Sequence, residues 1–229
     1  MADARQDENG IYYGSYYGES EYLNQHQMNV NAIYIHNYLR LRGWSVEAIC
    51  GILGNMQAES TINPGCWQSH NVGNMSGGYG LVQWTPASKY IDWCTADLNN
   101  PMSPDEMESN LKRILYEVEN NIQWIATNSY DFSFKSFTTS QEMPDYLSWA
   151  FAWNYERSWV VLYGSEEEKE ALRQKRGGYA IDWYIYLAGG DLPDPDPDIP
   201  ITTSKKKKFN FLLFNARRRR LNQWTNRRF

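Results

Sequence analysis

One carboxylate in this chain is placed where a helix has to stop. The run Ile49-Cys50-Gly51-Ile52-Leu53-Gly54-Asn55-Met56-Gln57-Ala58-Glu59-Ser60 reads as helix, and Asn63-Pro64-Gly65 follows it as a turn. Pro64 disfavours helical backbone at Asn63, and Gly65 supplies the positive φ that a tight turn needs, so the helix is predicted to end within a residue or two of Glu59. Glu59 then sits at the negative end of the helix dipole, with Met56, Ile62 and Trp67 close in sequence. Like-sign potential and partial desolvation both favour the protonated carboxyl and raise its pKa. A carboxyl that keeps its proton near neutral pH is a candidate general acid.

The remaining polar chemistry is sparse. Cys50, Cys66 and Cys94 form neither a metal-ligand pattern nor an even disulfide set, and His26, His36 and His70 have no metal-site spacing. No metal or other cofactor is therefore expected, and Cys50, on a helical pattern, reads as a small buried apolar residue. The net charge of −5 conceals a division: residues 201–229 hold ten of the 22 Lys and Arg and no acid, leaving 12 bases against 27 acids in the first 200 residues. An acidic body repels phosphate, which argues against a specific nucleic-acid partner. Aromatic residues are 15% of the chain, with 10 Trp and 17 Tyr, enough to fill a core and leave rings for a binding groove. The N-terminus lacks the apolar run of a secretory signal, and no stretch reaches transmembrane length, so synthesis in a cytoplasm with another route of delivery is expected.

The elements that must position Glu59 follow from periodicity. Residues 1–27, polar and rich in Tyr and Gly, read as a loosely ordered arm, able to pack on the domain or bind a partner. Val30, Ile33, Tyr34, Asn37, Tyr38 and Leu41 repeat with helical spacing up to Gly43, and Ser45 caps the helix that carries Glu59. Gly51 and Gly54 weaken an isolated helix, which suggests that another backbone comes close there. From Asn63 to Thr85 the pattern breaks into an irregular lobe or small hairpin, one wall of a cleft. Helices are predicted again over about 86–98, from Pro104 through Ile125, over about 141–155, and over 166–187 with a possible interruption at Gly177-Gly178. Alternating Pro and Asp from 193 to 200 make an extended spacer. The organisation is thus an arm (1–27), a folded domain (28–189), a Pro/Asp-rich linker (190–204) and a basic tail (205–229).

The segment from Met28 to about Leu187 resembles the phage tail lysozyme family, in particular the N-terminal lysozyme domain of tail-knob peptidoglycan-degrading proteins of short-tailed phages. The resemblance rests on the Ile49–Gly65 stretch quoted above, on Gly80-Leu81-Val82-Gln83-Trp84-Thr85-Pro86-Ala87-Ser88, and on Tyr155-Glu156-Arg157. It implies a mainly α, lysozyme-like α+β fold: a helical domain with a small irregular or β lobe beside a cleft. It further implies that Glu59 protonates the glycosidic oxygen between aminosugars of peptidoglycan. A positioned proton donor contributes about 10²–10⁴-fold to such a step.

By the same resemblance Gln83 offers an amide donor and acceptor to a sugar or to an attacking water. Gly80 lets substrate approach closely, Trp84 and Trp67 are subsite platforms or core, and Tyr155 orients substrate or Glu59. Glu156 is the candidate second carboxylate, with an ion pair to Arg157 or a nearby base as its alternative. A retaining glycosidase sets its two carboxyls about 5–5.5 Å apart and an inverting one about 6.5–9.5 Å. The implied role is hydrolysis of host-wall glycan by a virion tail protein, with other tail proteins as partners. A lytic transglycosylase, an endolysin and a non-catalytic wall-binding module are the alternatives. The zinc peptidase domain that follows the linker in the related proteins is not expected here, because no His or Cys follows Cys94. Instead Lys205–Lys208 and Arg217–Arg220 flank a short apolar run, a composition suited to an anionic wall polymer or membrane surface.

Overall fold

The computed structural model describes residues 5–14 and 22–189. Its centre is a helix that is apolar on nearly all sides. Helix α1 (Gln25–Arg40) opens with a capping box, in which Asn24 and Gln27 exchange side-chain and backbone hydrogen bonds, and buries Met28, Ala32, Ile35 and Leu39. Helix α2 (Val46–Ser60) starts at Ser45, whose hydroxyl accepts the Ala48 N–H at 3.1 Å, and is buried continuously from Ala48 to Met56. A helix buried all round needs neighbours on several faces. α2 obtains them from α6 (Pro144–Phe151) and α8 (Glu166–Tyr184), which also pack on each other.

The two glycines of α2 are what let those neighbours in. A Cβ at Gly51 would lie 2.9 Å from Leu147 Cβ on α6, and one at Gly54 would lie 2.5 Å from the Arg176 carbonyl oxygen and 2.9 Å from Ala180 Cβ on α8. The close backbone approach expected from the sequence is therefore present on two faces. The Gly177-Gly178 pair, by contrast, does not interrupt α8, which runs through it and ends in a π-helical turn at Ile185–Gly189. Gly177 is instead where α8 rests on Asp145 of α6.

Around this centre lie α3 (Ser88–Thr95), α4 (Met107–Asn120), α5 (Phe134–Thr138) and α7 (Trp159–Tyr163). α4 stops earlier than its apolar repeat suggests: Asn121 takes a left-handed conformation (φ 50°), and Ile122 and Ile125 fall in the exposed segment beyond it. α6 continues as a π-helical turn, Ala152–Glu156, where the sequence predicts unbroken helix. The short helices α5 and α7 carry too few repeats for their periodicity to register.

The region between α2 and α3 is the irregular lobe, closed by bridge-type backbone pairs of Tyr79 with Trp67 and with Trp84. The N-terminal arm is more firmly attached than its composition indicates. Strands β1 (Arg5–Gln6) and β2 (Tyr12–Tyr13) form a two-stranded antiparallel ribbon, Ile11 and Leu23 are buried in the core, and Asn31 on α1 exchanges hydrogen bonds with both backbone groups of Tyr12. Two apolar residues and one buried Asn are enough to anchor it, a signal diluted by the surrounding polar sequence. The predicted linker (190–204) and basic tail (205–229) lie outside the described residues.

Candidate active site

Glu59 stands one residue before the end of α2, and the end is fixed from three directions. Ser60 Oγ donates to the Met56 carbonyl at 3.0 Å and to the Leu81 carbonyl of the lobe at 2.9 Å. Thr61 and Ile62 then take left-handed backbone conformations (φ 53° and 58°), an unusual pair for β-branched residues. They are held there by the turn beyond: Asn63 Oδ1 accepts the N–H groups of Gly65 and of Gly14 in the arm, each at 2.9 Å. The predicted stop beside Glu59 is present, but Gly65 does not take the expected positive φ: the left-handed residues are Thr61 and Ile62, and Gly65 instead makes room for the arm, since a Cβ there would lie 2.2 Å from the Gly14 carbonyl oxygen.

The Glu59 carboxylate, with 22% of its side chain exposed, forms an ion pair between its Oε1 and Nη2 of Arg176 on α8. Arg176 is buried. Its Nη1 donates to Asn55 Oδ1 at 2.6 Å, and Asn55 Nδ2 in turn donates to the Ser148 carbonyl at 2.9 Å and to the Gly51 carbonyl at 3.0 Å. This line of bonds ties α8, α2 and α6 together directly behind the carboxylate. It brings to Glu59 a cation that the helix-end argument did not contain.

Glu156 ends the π-helical turn after α6, where Arg157 turns the chain with a left-handed φ of 53°. Its carboxyl is held well above its ordinary value of 4.5, first by burial and then by the neighbouring charge of Glu59, with Arg176 opposing. The alternative reading, an ion pair of Glu156 with Arg157 or a nearby base, is not found among the described residues, and the buried Oε1 has no hydrogen-bond partner there. Glu156 is accordingly the carboxyl whose protonated form the site favours.

Glu59 and Glu156 line a single cleft of about 440 Å³, together with Gln83, Trp67, Arg157 and Tyr22. The lobe supplies Gln83, whose backbone is left-handed (φ 50°) and whose Nε2 donates to the Cys66 and Gly80 carbonyls at 2.9 and 3.0 Å. Its donor is thus committed to the loop, and Oε1 is the atom left for a ligand. Gly80 (φ 83°) has a different role from the one expected: a Cβ there would meet Asn110 Oδ1 at 2.7 Å and the Trp84 ring at 3.0 Å, so the glycine serves packing beneath the lobe. Trp67 lines the cleft and is only 1% exposed.

Trp84 and Tyr155 are turned into the interior. Trp84 stacks on Tyr90 and donates its indole N–H to Glu117 Oε1 at 3.1 Å, while the Tyr155 hydroxyl donates to Glu117 Oε2. Glu117 on α4 also pairs with Arg113 Nε at 2.8 Å. One buried carboxylate therefore holds the residue after Gln83 and the residue before Glu156, which joins the two walls of the cleft from behind.

The sequence model of the phage tail lysozyme family matches residues 30–187, which include every one of these residues except Tyr22 and Gly14. The chain belongs to the phage tail lysozyme family. It is also similar to morphogenesis protein 1 of Bacillus phage B103, with 54% identity over 174 residues, 76% of this chain and 44% of that protein. The chain thus spans less than half the length of that relative.

Of the site residues expected in this lysozyme-family segment, Glu59, Glu156, Gln83 and Trp67 come together at the cleft, and Gly80, Trp84 and Tyr155 support it from within. Arg176, Asn55 and Glu117 were not legible in advance. Each lies on a helix whose periodicity explains its neighbours but not its partner across the fold. Among the described residues there is no group of three or more His, Cys, Asp or Glu placed to hold a metal, and no helix long and apolar enough to cross a membrane.

Proposed function

We propose that the chain is a tail-associated peptidoglycan hydrolase of the muramidase type, acting on host-wall glycan, with other tail proteins as neighbours in the virion. The observation that carries this reading is the pairing of Glu59 and Glu156 in one cleft at the end of the motif-bearing helix. Burial and the neighbouring charge of Glu59 favour the protonated form of Glu156. Glu156 passes that proton to Glu59 across the cleft they share as the substrate enters. Glu59, the member open to the cleft surface, delivers it to the glycosidic oxygen. Arg176 holds Oε1 of Glu59 in place and leaves Oε2 for the substrate.

Protonation lets the C1–O bond break with a neutral hydroxyl departing, since an alkoxide is too basic to leave unaided. Positive charge that develops at the sugar ring is met by the two carboxyls. Water then adds to the anomeric carbon and gives up a proton to the carboxylate left behind, and Gln83 Oε1 accepts a hydrogen bond from that water or from a sugar hydroxyl.

Mass analysis of the muropeptides released from purified cell walls tests the reading. Water-added, reducing fragments cut between N-acetylmuramic acid and N-acetylglucosamine are the expected products. Anhydromuramyl ends would assign the lytic transglycosylase reaction, and intact glycan strands would leave a wall-binding module.

A further inference from the structure

The ring that is open to the cleft does not come from the family-matched segment. Trp67 lines the cleft but is 1% exposed, whereas Tyr22 lines it and is 57% exposed. Enough of the Tyr22 side chain is left uncovered for a ligand in the cleft to pack on it.

Tyr22 is nevertheless held at a defined place. The next residue, Leu23, buries its side chain in the core and donates its backbone N–H to Thr61 Oγ1 at 2.7 Å, two residues past Glu59. On the other side the Tyr22 ring meets the ring of His70 at 4.4 Å between centroids and at 88°. His70 and the cleft residue Ser69 both adopt left-handed backbone conformations, with φ 58° and 52°. Two successive non-glycine residues in that region are strained, and such strain collects at ligand-binding sites. The strained pair is borne by a fixed loop, because Gln68 bonds both backbone groups of Gly78, at 2.9 and 2.8 Å.

A tyrosine face is electron-rich and attracts the polarised C–H groups that line one face of a pyranose ring. We propose that Tyr22, buttressed by His70, is the platform on which one aminosugar ring of the glycan packs, a specificity-determining subsite supplied by the segment that precedes the family-matched residues 30–187. The inference rests on the peptidoglycan reading above for the identity of the ligand. It gives the N-terminal segment two tasks at once, bracing the turn behind Glu59 and gripping the substrate beside it.

Steady-state kinetics on soluble, uncrosslinked glycan strands with the full chain provide the first test. Tyr22→Ala should raise KM about five- to tenfold with kcat within about twofold and an unchanged Tm, and Tyr22→Phe, which keeps the ring, should restore KM. His70→Ala should raise KM less. A Tyr22→Ala enzyme with wild-type KM, or with kcat lost and KM unchanged, overturns the proposal. Calorimetric titration of the same glycan into Glu59→Gln and into Glu59→Gln/Tyr22→Ala separates this inference from the catalytic one. Affinity about five- to tenfold weaker in the double variant supports the platform even where no turnover is found, and equal affinity overturns it whatever the wild-type activity.

Discussion

A carboxyl that faces its cleft from a buried position is governed by its surroundings more than by its place in the sequence. Glu156 has its pKa raised by burial and by Glu59, so the folded chain holds that proton more tightly than the unfolded chain does. Its contribution to stability is therefore complete below the ordinary carboxylate range, about 4.3, and is lost as pH rises through the folded value. Glu156→Gln should remove this dependence: its Tm relative to wild type should climb steadily between mildly acidic and mildly alkaline pH, while wall-degrading activity falls at least about tenfold. Melting curves across that range, run beside a turbidity assay, check both. A constant offset in Tm would mean that Glu156 is ionised in the folded chain, and full activity would reduce the site to one carboxyl. Glu117 shows the structural counterpart. It too is buried and raised by desolvation, but Tyr155, Arg113 and Trp84 all bond to it, so its work is to hold the walls rather than to exchange a proton.

At the scale of elements, the glycines of α2 connect sequence to site. Gly54 admits α8 so closely that Arg176 reaches Glu59, and a methyl group there has no room. Gly54→Ala should cost about 1–3 kcal/mol by overpacking and lower Tm by several degrees, with activity reduced as α8 is displaced. Gly178→Ala on the exposed side of the same contact pair, where nothing lies within 4 Å, should instead stabilise slightly, by about 0.5–1 kcal/mol. Calorimetry on the two variants distinguishes close packing from helix propensity, and equal effects would refute the assigned role of Gly54. These glycines were legible as a close approach because they offend helix propensity in an apolar run. The stop after Glu59 was legible because Pro64 and Gly65 break the pattern. The left-handed pair Thr61 and Ile62 was not, since β-branched residues give no sign of it and the constraint comes from Gly14, far away in sequence. The partners of Glu59 and of Trp84 were hidden for the same reason: Arg176 and Glu117 look like ordinary helix charges until the fold brings them inside.

In the whole molecule, charge is segregated along the chain, with an acidic body and ten Lys and Arg without an acid in residues 201–229. Deleting residues 205–229 should leave turnover of soluble glycan unchanged and weaken co-sedimentation with cell walls, most of all at low salt, where exposed charges act over about 10 Å or more. Equal binding by the full and shortened chains across a salt series would remove the tail from substrate recognition. The body itself gathers its site from the N-terminal segment, α2, the lobe, the turn after α6 and α8, and all of them converge on Glu59. That convergence is most directly tested by the rate of wall degradation by Glu59→Gln, measured on protein shown to be folded by circular dichroism. The amide still accepts a hydrogen bond from Arg176 but carries no transferable carboxyl proton. A loss of at least about 10²-fold with native secondary structure is the predicted result, and a folded variant that clears walls at near the wild-type rate would contradict the account.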